Sequence, residues 1–365
     1  MRVISKKADI IIIVISAILV VLGMAILASA SSNLGETKFG DAYYFLKHQF
    51  LFGFGIGFVA FFAAMFIPLK FFKKAAFILL LLSIVGLILV FTPLGGKFGT
   101  SSRWLDIAGI QIQPSELLKF TFIVYIAAWL TVKGKDRKKD FTEGLLPFLI
   151  ICAVIGSLLI AQPSTSILII IMAAALIVYF VSGTKLSFVA IVGLAGILAI
   201  TLVISFSGYR TERIMSFLNP NADVRDTGYH LNQSLTTIGA GGLWGVGYGK
   251  STLKVSSLPE PIGDSIFAVI AEEFGFIGAS VFIVLYFLLV YAGLAGSVKA
   301  HSDFGKLIVI GFSSIIGLQA FIHIASVSGL IPVTGVPLPF VSYGGTALIT
   351  SMAMVGLMVN ALRHG

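Results

Sequence analysis

The stretch Leu158-Leu-Ile-Ala-Gln-Pro-Ser-Thr-Ser-Ile-Leu168 joins two apolar runs, 145 to 161 and 165 to 181, and its reading decides the topology. Taken as one long kinked element it gives nine membrane crossings; taken as a turn between two spans it gives ten, and every later segment changes side. Working outward, a hydrocarbon core about 30 Å thick needs roughly 20 apolar residues at 1.5 Å rise. Eight further runs meet that pattern: 9 to 31, 48 to 67, 75 to 93, 114 to 132, 187 to 207, 265 to 292, 307 to 328 and 344 to 362. With 58% hydrophobic and 11% charged residues and a mean hydropathy of +1.03, the 365-residue chain departs far from a soluble domain, where about 25% of residues are charged. It reads as an all-α integral membrane protein, residues 1–365 forming a single transmembrane domain.

Loop charge decides between nine and ten. Lys and Arg accumulate on cytoplasmic connections because moving them across a membrane is unfavourable. With ten spans, one alternate set of connections holds Arg2, Lys6, Lys7, Lys70, Lys73, Lys74, Lys133, Lys135, Arg137, Lys138, Lys139, Lys185, Lys299, Lys306 and Arg363. The other set holds only Lys38, Lys97, Arg103, Arg210, Arg213, Arg225, Lys250 and Lys254. Ten transmembrane helices with both termini in the cytoplasm are therefore expected. The net charge of +9 is accounted for by this bias, so no nucleic-acid partner is expected. The first run lacks a cleavage site followed by a soluble domain and reads as a retained helix, not a signal peptide. The single cysteine, Cys152, excludes an intrachain disulfide framework and reads as a small packed residue.

On this topology the longest connection, 208–264, is a large extracytoplasmic loop between helices 7 and 8, and loops of such length are usually functional. Within it, Glu212-Arg-Ile-Met-Ser-Phe-Leu-Asn-Pro220 suits a short interfacial helix with Ile214, Phe217 and Leu218 on its apolar side. The loop ends in Ser257-Leu-Pro-Glu-Pro-Ile-Gly-Asp-Ser265, which carries Glu260 and Asp264 into an apolar run and is the candidate reaction centre. Gly239-Ala-Gly-Gly-Leu-Trp-Gly-Val-Gly-Tyr-Gly-Lys-Ser251 ends like a phosphate-binding loop, but Trp244 stands where that loop needs glycine. Tight turns and close backbone packing are the expected role of these glycines. Pro114 suits a first helical turn, with Glu116 favouring the positive helix end and Lys119 on the same face. That pair serves either as a structural ion pair or as a site for an anionic head group. Glu272 and Glu273 pose the same question below Asp264. Residues 329–343, rich in proline and glycine, are expected as a second, re-entrant outer loop, because such backbone at membrane depth must be buried in protein or line a cavity. His230 and His323 have no second ligand at metal spacing.

As a set these segments resemble the SEDS family of bacterial shape, elongation, division and sporulation proteins, which includes FtsW, RodA and SpoVE. The resemblance runs over nearly the whole chain. It rests on Arg103-Trp-Leu-Asp, Gln113-Pro-Ser-Glu-Leu-Leu-Lys119, Gln162-Pro163, Arg213-Ile with Phe217-Leu-Asn-Pro220, and Gly228-Tyr with Gln233-Ser. Further matches are Gly239-Ala-Gly-Gly-Leu, Leu258-Pro-Glu with Asp264, Ile266-Phe-Ala with Glu272-Glu, and Leu338-Pro-Phe-Val-Ser-Tyr-Gly-Gly345. Residues 209–275 look closer to the division branch. Many members carry an acidic residue where this chain has Ser164, so no role is carried to that position. Many also read His-Thr-Asp-Phe where this chain reads Ile262-Gly-Asp-Ser265, a departure that touches the neighbours of the aspartate and keeps the acid.

The resemblance implies a peptidoglycan glycosyltransferase that polymerises lipid II at the outer face of the bacterial cytoplasmic membrane. Its implied partners are a class B penicillin-binding protein and other divisome or elongasome membrane proteins. The family's essential aspartate falls on Asp264, expected as the base. Burial and Glu260 would raise its pKa, while a helix start would lower it, so the two effects oppose. Arg103, Lys119, Arg213, Lys250 and Lys254 are candidates for the pyrophosphate, and Glu116, Gln233, Ser234, Glu260, Ser342 and Tyr343 complete the expected substrate-binding set. No cofactor is identified, and a divalent cation sharing the leaving-group task stays open. A lipid II flippase and a non-catalytic scaffold for the penicillin-binding protein are the alternatives.

Overall fold

The computed structural model describes residues 7–98, 101–107, 110–132, 137–218 and 227–364. Asn219 and Pro220 of the matching motif, and Arg2, Lys6, Lys133, Lys135 and Arg225 of the charge comparison, lie outside them. In chain order the helices are α1 (Ala8–Phe39), α2 (Tyr44–Phe66), α3 (Leu69–Leu89), α4 (Pro114–Leu130), α5 (Phe141–Ala161), α6 (Thr165–Val181), α7 (Leu186–Ser205), α8 (Gly208–Leu218), α9 (Thr227–Ala240), α10 (Leu253–Ser256), α11 (Ile266–Ser297), α12 (Asp303–Val327) and α13 (Gly345–His364). Eight of these are long and apolar enough to cross a membrane. The remaining two apolar runs form α4 and α6, each 17 residues or about 26 Å of helix. The chain is a multi-pass membrane protein.

At Gln162–Ser164 the chain turns back on itself. Phe148, near the start of α5, stacks on Tyr179, near the end of α6, with ring centroids 4.3 Å apart. Nearer the turn, a Cβ on Gly156 would touch Leu168 at 3.7 Å. These pairs fit only an antiparallel hairpin, so α5 and α6 are two elements and not one kinked helix. The turn is pinned from outside, since the Gln162 Nε2 donates to Leu87 O at 2.8 Å.

Expected as all-α, the chain in fact carries a small antiparallel sheet, β1 (Gly95–Phe98), β2 (Ser101–Ile107) and β3 (Ile110–Ile112), between α3 and α4. The sequence signal is slight: a glycine falls in each two-residue gap between strands. The long connection is likewise organised into α8, α9 and α10. Its first helix spans Gly208–Leu218, earlier than the Glu212–Pro220 expected. Ile214 lines a cavity instead of lying on the interface, because Arg210 and Arg213 turn the same face inward.

Helix α11 is broken at Gly275, whose backbone stands at φ 67° and ψ −169°. A break leaves amides and carbonyls without intrahelical partners. The glycine stretch after α9 supplies them: Val246 N donates to Glu272 O at 2.9 Å and Gly247 N to Glu273 O at 3.0 Å, while Phe276 N donates to Gly242 O at 2.9 Å and Ile277 N to Leu243 O at 3.3 Å. Backbone lies directly on backbone, and a Cβ on Gly241 would fall within 2.0 Å of Ala271 O. Close backbone packing is therefore the role of this motif, as its sequence indicates.

The most deeply packed elements are α4, α12 and α13, whereas α7 buries Phe188 alone. Asn360 ties α13 to the end of α2 by donating to Ala64 O and Ile67 O at 2.8 and 2.6 Å.

Candidate active site

At the end of the bundle that carries α8 and the turn before α11, a cavity of about 1050 Å³ opens among α1, α2, α6, α8, α13 and the segment 331–337. Its walls are mainly apolar. Its charged lining includes Arg103 from β2, Arg210 and Arg213 from α8, and Glu260 and Asp264 from the turn before α11.

The turn is built by Gly263 N and Ser265 N, which both donate to Glu260 O, at 3.1 and 3.2 Å. Glu260 itself sits at φ 45°, in the left-handed region that side chains with a Cβ seldom occupy. Leu258 and Ile262 anchor the turn in the core. From the other side, Ser342 Oγ donates to Gly263 O at 2.8 Å and Tyr343 N donates to Ile262 O at 2.8 Å. Asp264 is thus held on a short, doubly tethered loop with its carboxyl half-buried at the cavity.

The carboxyl rests on Gly335, where an added Cβ would lie 3.2 Å from Asp264 Oδ2 and the backbone φ is +65°. Burial pushes the Asp264 carboxyl up to about 6, with Glu260 adding to the rise and Arg213 and Arg103 working against it. Desolvation and Glu260 together therefore outweigh the two arginines. The Gly335→Ala variant is expected to crowd this carboxyl and to strain the backbone at residue 335. Activity about tenfold lower, with the protein still folded, is the predicted result; an ångström of misplacement at a reacting group costs up to ~100-fold.

The arginines are held by backbone carbonyls. Arg103 Nε donates to Gln162 O at 3.1 Å and its Nη2 to Pro163 O at 2.6 Å, which gives the Gln162-Pro163 turn a direct tie to the site. Arg213 Nη1 donates to Val333 O at 3.2 Å, and Arg210 Nη2 to Ile160 O at 3.2 Å, with its Nε donating to Thr165 Oγ1 at 2.8 Å. On the opposite wall, Tyr343 Oη and His48 Nδ1 lie 3.0 Å apart. Gln49 next to it, fully buried, accepts from Gly344 N at 3.1 Å where α2 passes the cavity as a π-helical stretch, Gln49–Gly55.

Of the residues singled out in the sequence, Arg103, Arg213, Glu260, Asp264 and Tyr343 come together on the cavity wall. Ser342 stands behind it as a tether. Glu116 and Lys119 pair at 2.6 Å with side chains 1% and 3% exposed, and lie within the bundle, not on the wall. Lys254 pairs with Glu273 at 2.6 Å and donates to Ser29 Oγ at 2.7 Å, and Ser251 Oγ donates to Glu272. Lys250 is exposed away from the cavity, and Gln233 and Ser234 belong to α9, where Ser234 Oγ donates to His230 O at 2.9 Å. Arg210, His48 and Gly335 were not singled out beforehand. Arg210 sits three residues before Arg213, the spacing that puts two side chains on one helix face, and that signal was available. Among the described residues, no cluster of three or more His, Cys, Asp or Glu side chains is placed to hold a metal ion.

A multi-pass bundle with a carboxylate and arginines at the mouth of an apolar cavity defines a membrane protein built to handle an amphipathic, anionic substrate. The cell cycle protein family FtsW/RodA/SpoVE matches residues 9–365, and the chain belongs to it. A probable peptidoglycan glycosyltransferase FtsW of Geobacter sp. (strain M18) is 37% identical over 96% of this chain and 96% of its own length. Stage V sporulation protein E of Bacillus subtilis (strain 168) is 34% identical over 98% and 97%. Among solved structures, a chain from a peptidoglycan synthase complex, described as coordinating polymerization and crosslinking, superposes with a TM-score of 0.78 at 26% identity, covering 96% of both chains. The rod shape determining protein RodA of Thermus thermophilus gives 0.70 at 25% identity, covering 96% of this chain and 95% of its own.

Proposed function

We infer that the chain is a peptidoglycan glycosyltransferase that polymerises lipid II into glycan strands. The observation that carries the reading is the placement of Asp264 at the cavity wall, with Arg103 and Arg213 close enough to act on its charge. The Asp264 carboxylate takes the proton from the 4-hydroxyl of the acceptor GlcNAc as that oxygen attacks the anomeric carbon of the donor MurNAc. The new C1–O4 bond forms as the C1–O bond to phosphate breaks, with inversion, and undecaprenyl pyrophosphate leaves with the bonding pair. Arg103, Arg213 and Arg210 offset the charge that grows on the pyrophosphate. The apolar walls suit the polyprenyl chain.

Loop charge supports ten spans, α4 and α6 included, with both termini in the cytoplasm and the cavity at the outer face. The resemblance to a chain of a peptidoglycan synthase complex supports a cross-linking penicillin-binding protein as partner.

The test is synthesis of glycan from labelled lipid II by the purified protein with its cognate partner, read as chain length and released undecaprenyl pyrophosphate. Translocation of lipid II without glycan would overturn the reading in favour of a transporter. A base whose folded pKa is raised to about 6 is ionised above that pH and loses its charge as pH falls through it. The polymerisation rate is therefore expected to be flat near neutrality and halved at about pH 6, with tenfold loss per unit below.

A further inference from the structure

The segment 333–339, which carries Gly335 against Asp264, has no helix or strand to satisfy its backbone. Side chains from four helices do so instead. Val333 O accepts from Arg213 on α8 and Thr334 O from Ser166 Oγ on α6, at 3.2 and 2.9 Å. Val336 O lies 2.7 Å from His323 Nδ1, Pro337 O accepts from Gln319 Nε2 at 2.8 Å, both from α12, and Pro339 O accepts from Tyr286 Oη on α11. The strap is suspended by its carbonyls.

One suspension point differs from the others because its orientation is enforced. Gln319 is 2% exposed, and its Oε1 accepts from Lys119 Nζ at 2.6 Å. Lys119 is in turn fixed by Glu116 at 2.6 Å. A buried ammonium has only donors, so it holds the amide oxygen toward itself and leaves the amide nitrogen pointing at Pro337 O. Two residues before Pro337 stands Gly335, against the Asp264 carboxyl.

We propose that Gln319, oriented by the Glu116–Lys119 ion pair, is a positioning residue that holds the 333–339 strap against Asp264 and keeps that carboxyl desolvated. The two ionised residues then act at a distance from the substrate, which explains why they lie behind the cavity wall. The groups that face Asp264 are Glu260 on its own turn, Arg213 from α8 and Arg103 from β2; the strap contributes no titratable side chain between Ile331 and Pro339. Closing or loosening the strap therefore changes the hydration of Asp264 and leaves its charged neighbours in place.

The inference rests on Asp264 as the base, and the experiment separates the two. Gln319→Leu keeps the Glu116–Lys119 pair neutral while removing both amide hydrogen bonds. Its kcat for lipid II polymerisation is expected to fall about tenfold with KM within twofold, and its acid limb to move down by roughly one pH unit as water reaches the carboxyl. Hydrogen exchange of the amides of residues 334–338 should quicken in the same variant. A lower rate with an unmoved acid limb and unchanged exchange overturns the inference, because a merely structural role would give that result. So does wild-type activity. Full polymerisation by Asp264→Asn overturns the base reading and the inference with it, whereas an inactive Asp264→Asn beside an unmoved limb in Gln319→Leu overturns the inference alone.

Discussion

Asp264→Asn is expected to lower glycan polymerisation by about 10²–10⁴-fold, the range by which a positioned base accelerates proton transfer. The substitution preserves volume and leaves the turn intact, since Gly263 N, Ser265 N, Ser342 and Tyr343 hold it through backbone oxygens of Glu260, Gly263 and Ile262. What it removes is the ability to accept a proton at neutral pH. The arginines and the apolar walls remain, so lipid II should still bind, and KM should change far less than kcat. The initial rate with labelled lipid II and the cognate partner is the measurement. A rate within threefold of wild type would remove Asp264 from the chemistry.

Gly275→Ala and Gly241→Ala should each cost the protein most of its stability. At Gly275 an added Cβ meets Gly245 N at 2.4 Å and Leu243 O at 2.5 Å, on a backbone at φ +67°. At Gly241 it meets Ala271 O at 2.0 Å. The atoms that must yield are backbone atoms, and one of them, Leu243 O, already accepts from Ile277 N across the break in α11. A strained left-handed residue alone costs about 1–3 kcal/mol, and parting the two segments adds the lost hydrogen bonds. A loss above ~3 kcal/mol is therefore expected, read as a large fall in Tm in detergent or as absence of folded protein. The contrast lies two residues away. Gly239 belongs to the same motif, yet an added Cβ there meets nothing within 4 Å, so Gly239→Ala should be harmless. Equal damage from Gly239→Ala and Gly241→Ala would refute the account of the interlock.

Much of this was legible beforehand, for identifiable reasons. Long apolar runs report spans because lipid offers no partner to a backbone amide, and each of the ten runs became a helix. Loop charge favours a turn at Gln162–Pro163 over one kinked element, and the stacking of Phe148 on Tyr179 shows the hairpin there. The sheet at 95–112 was missed because strands of three to seven residues give little periodicity to read. At the site, a motif marked which residues matter but not which face they take. Lys119 reads in the sequence as either an ion-pair partner of Glu116 or a head-group ligand, and the structure takes the first; Lys254, expected at the pyrophosphate, is instead paired with Glu273 inside the bundle. His48 and Gly335 come from segments far from Asp264 in sequence, and only the fold brings them to one cavity.

The pairing of Lys254 with Glu273 also bears on how the chain enters a bilayer. A lone carboxylate at a helix centre costs about 2.5–3.5 kcal/mol to insert. Lys254 precedes Glu273 by 19 residues, so at ~5–20 residues per second the ribosome releases the ammonium roughly 1–4 seconds before its carboxylate. The pair can then enter as a neutral hairpin. Ser29 on α1, 244 residues upstream of Glu273, completes the set, so the finished site ties the first helix to the later half of the chain.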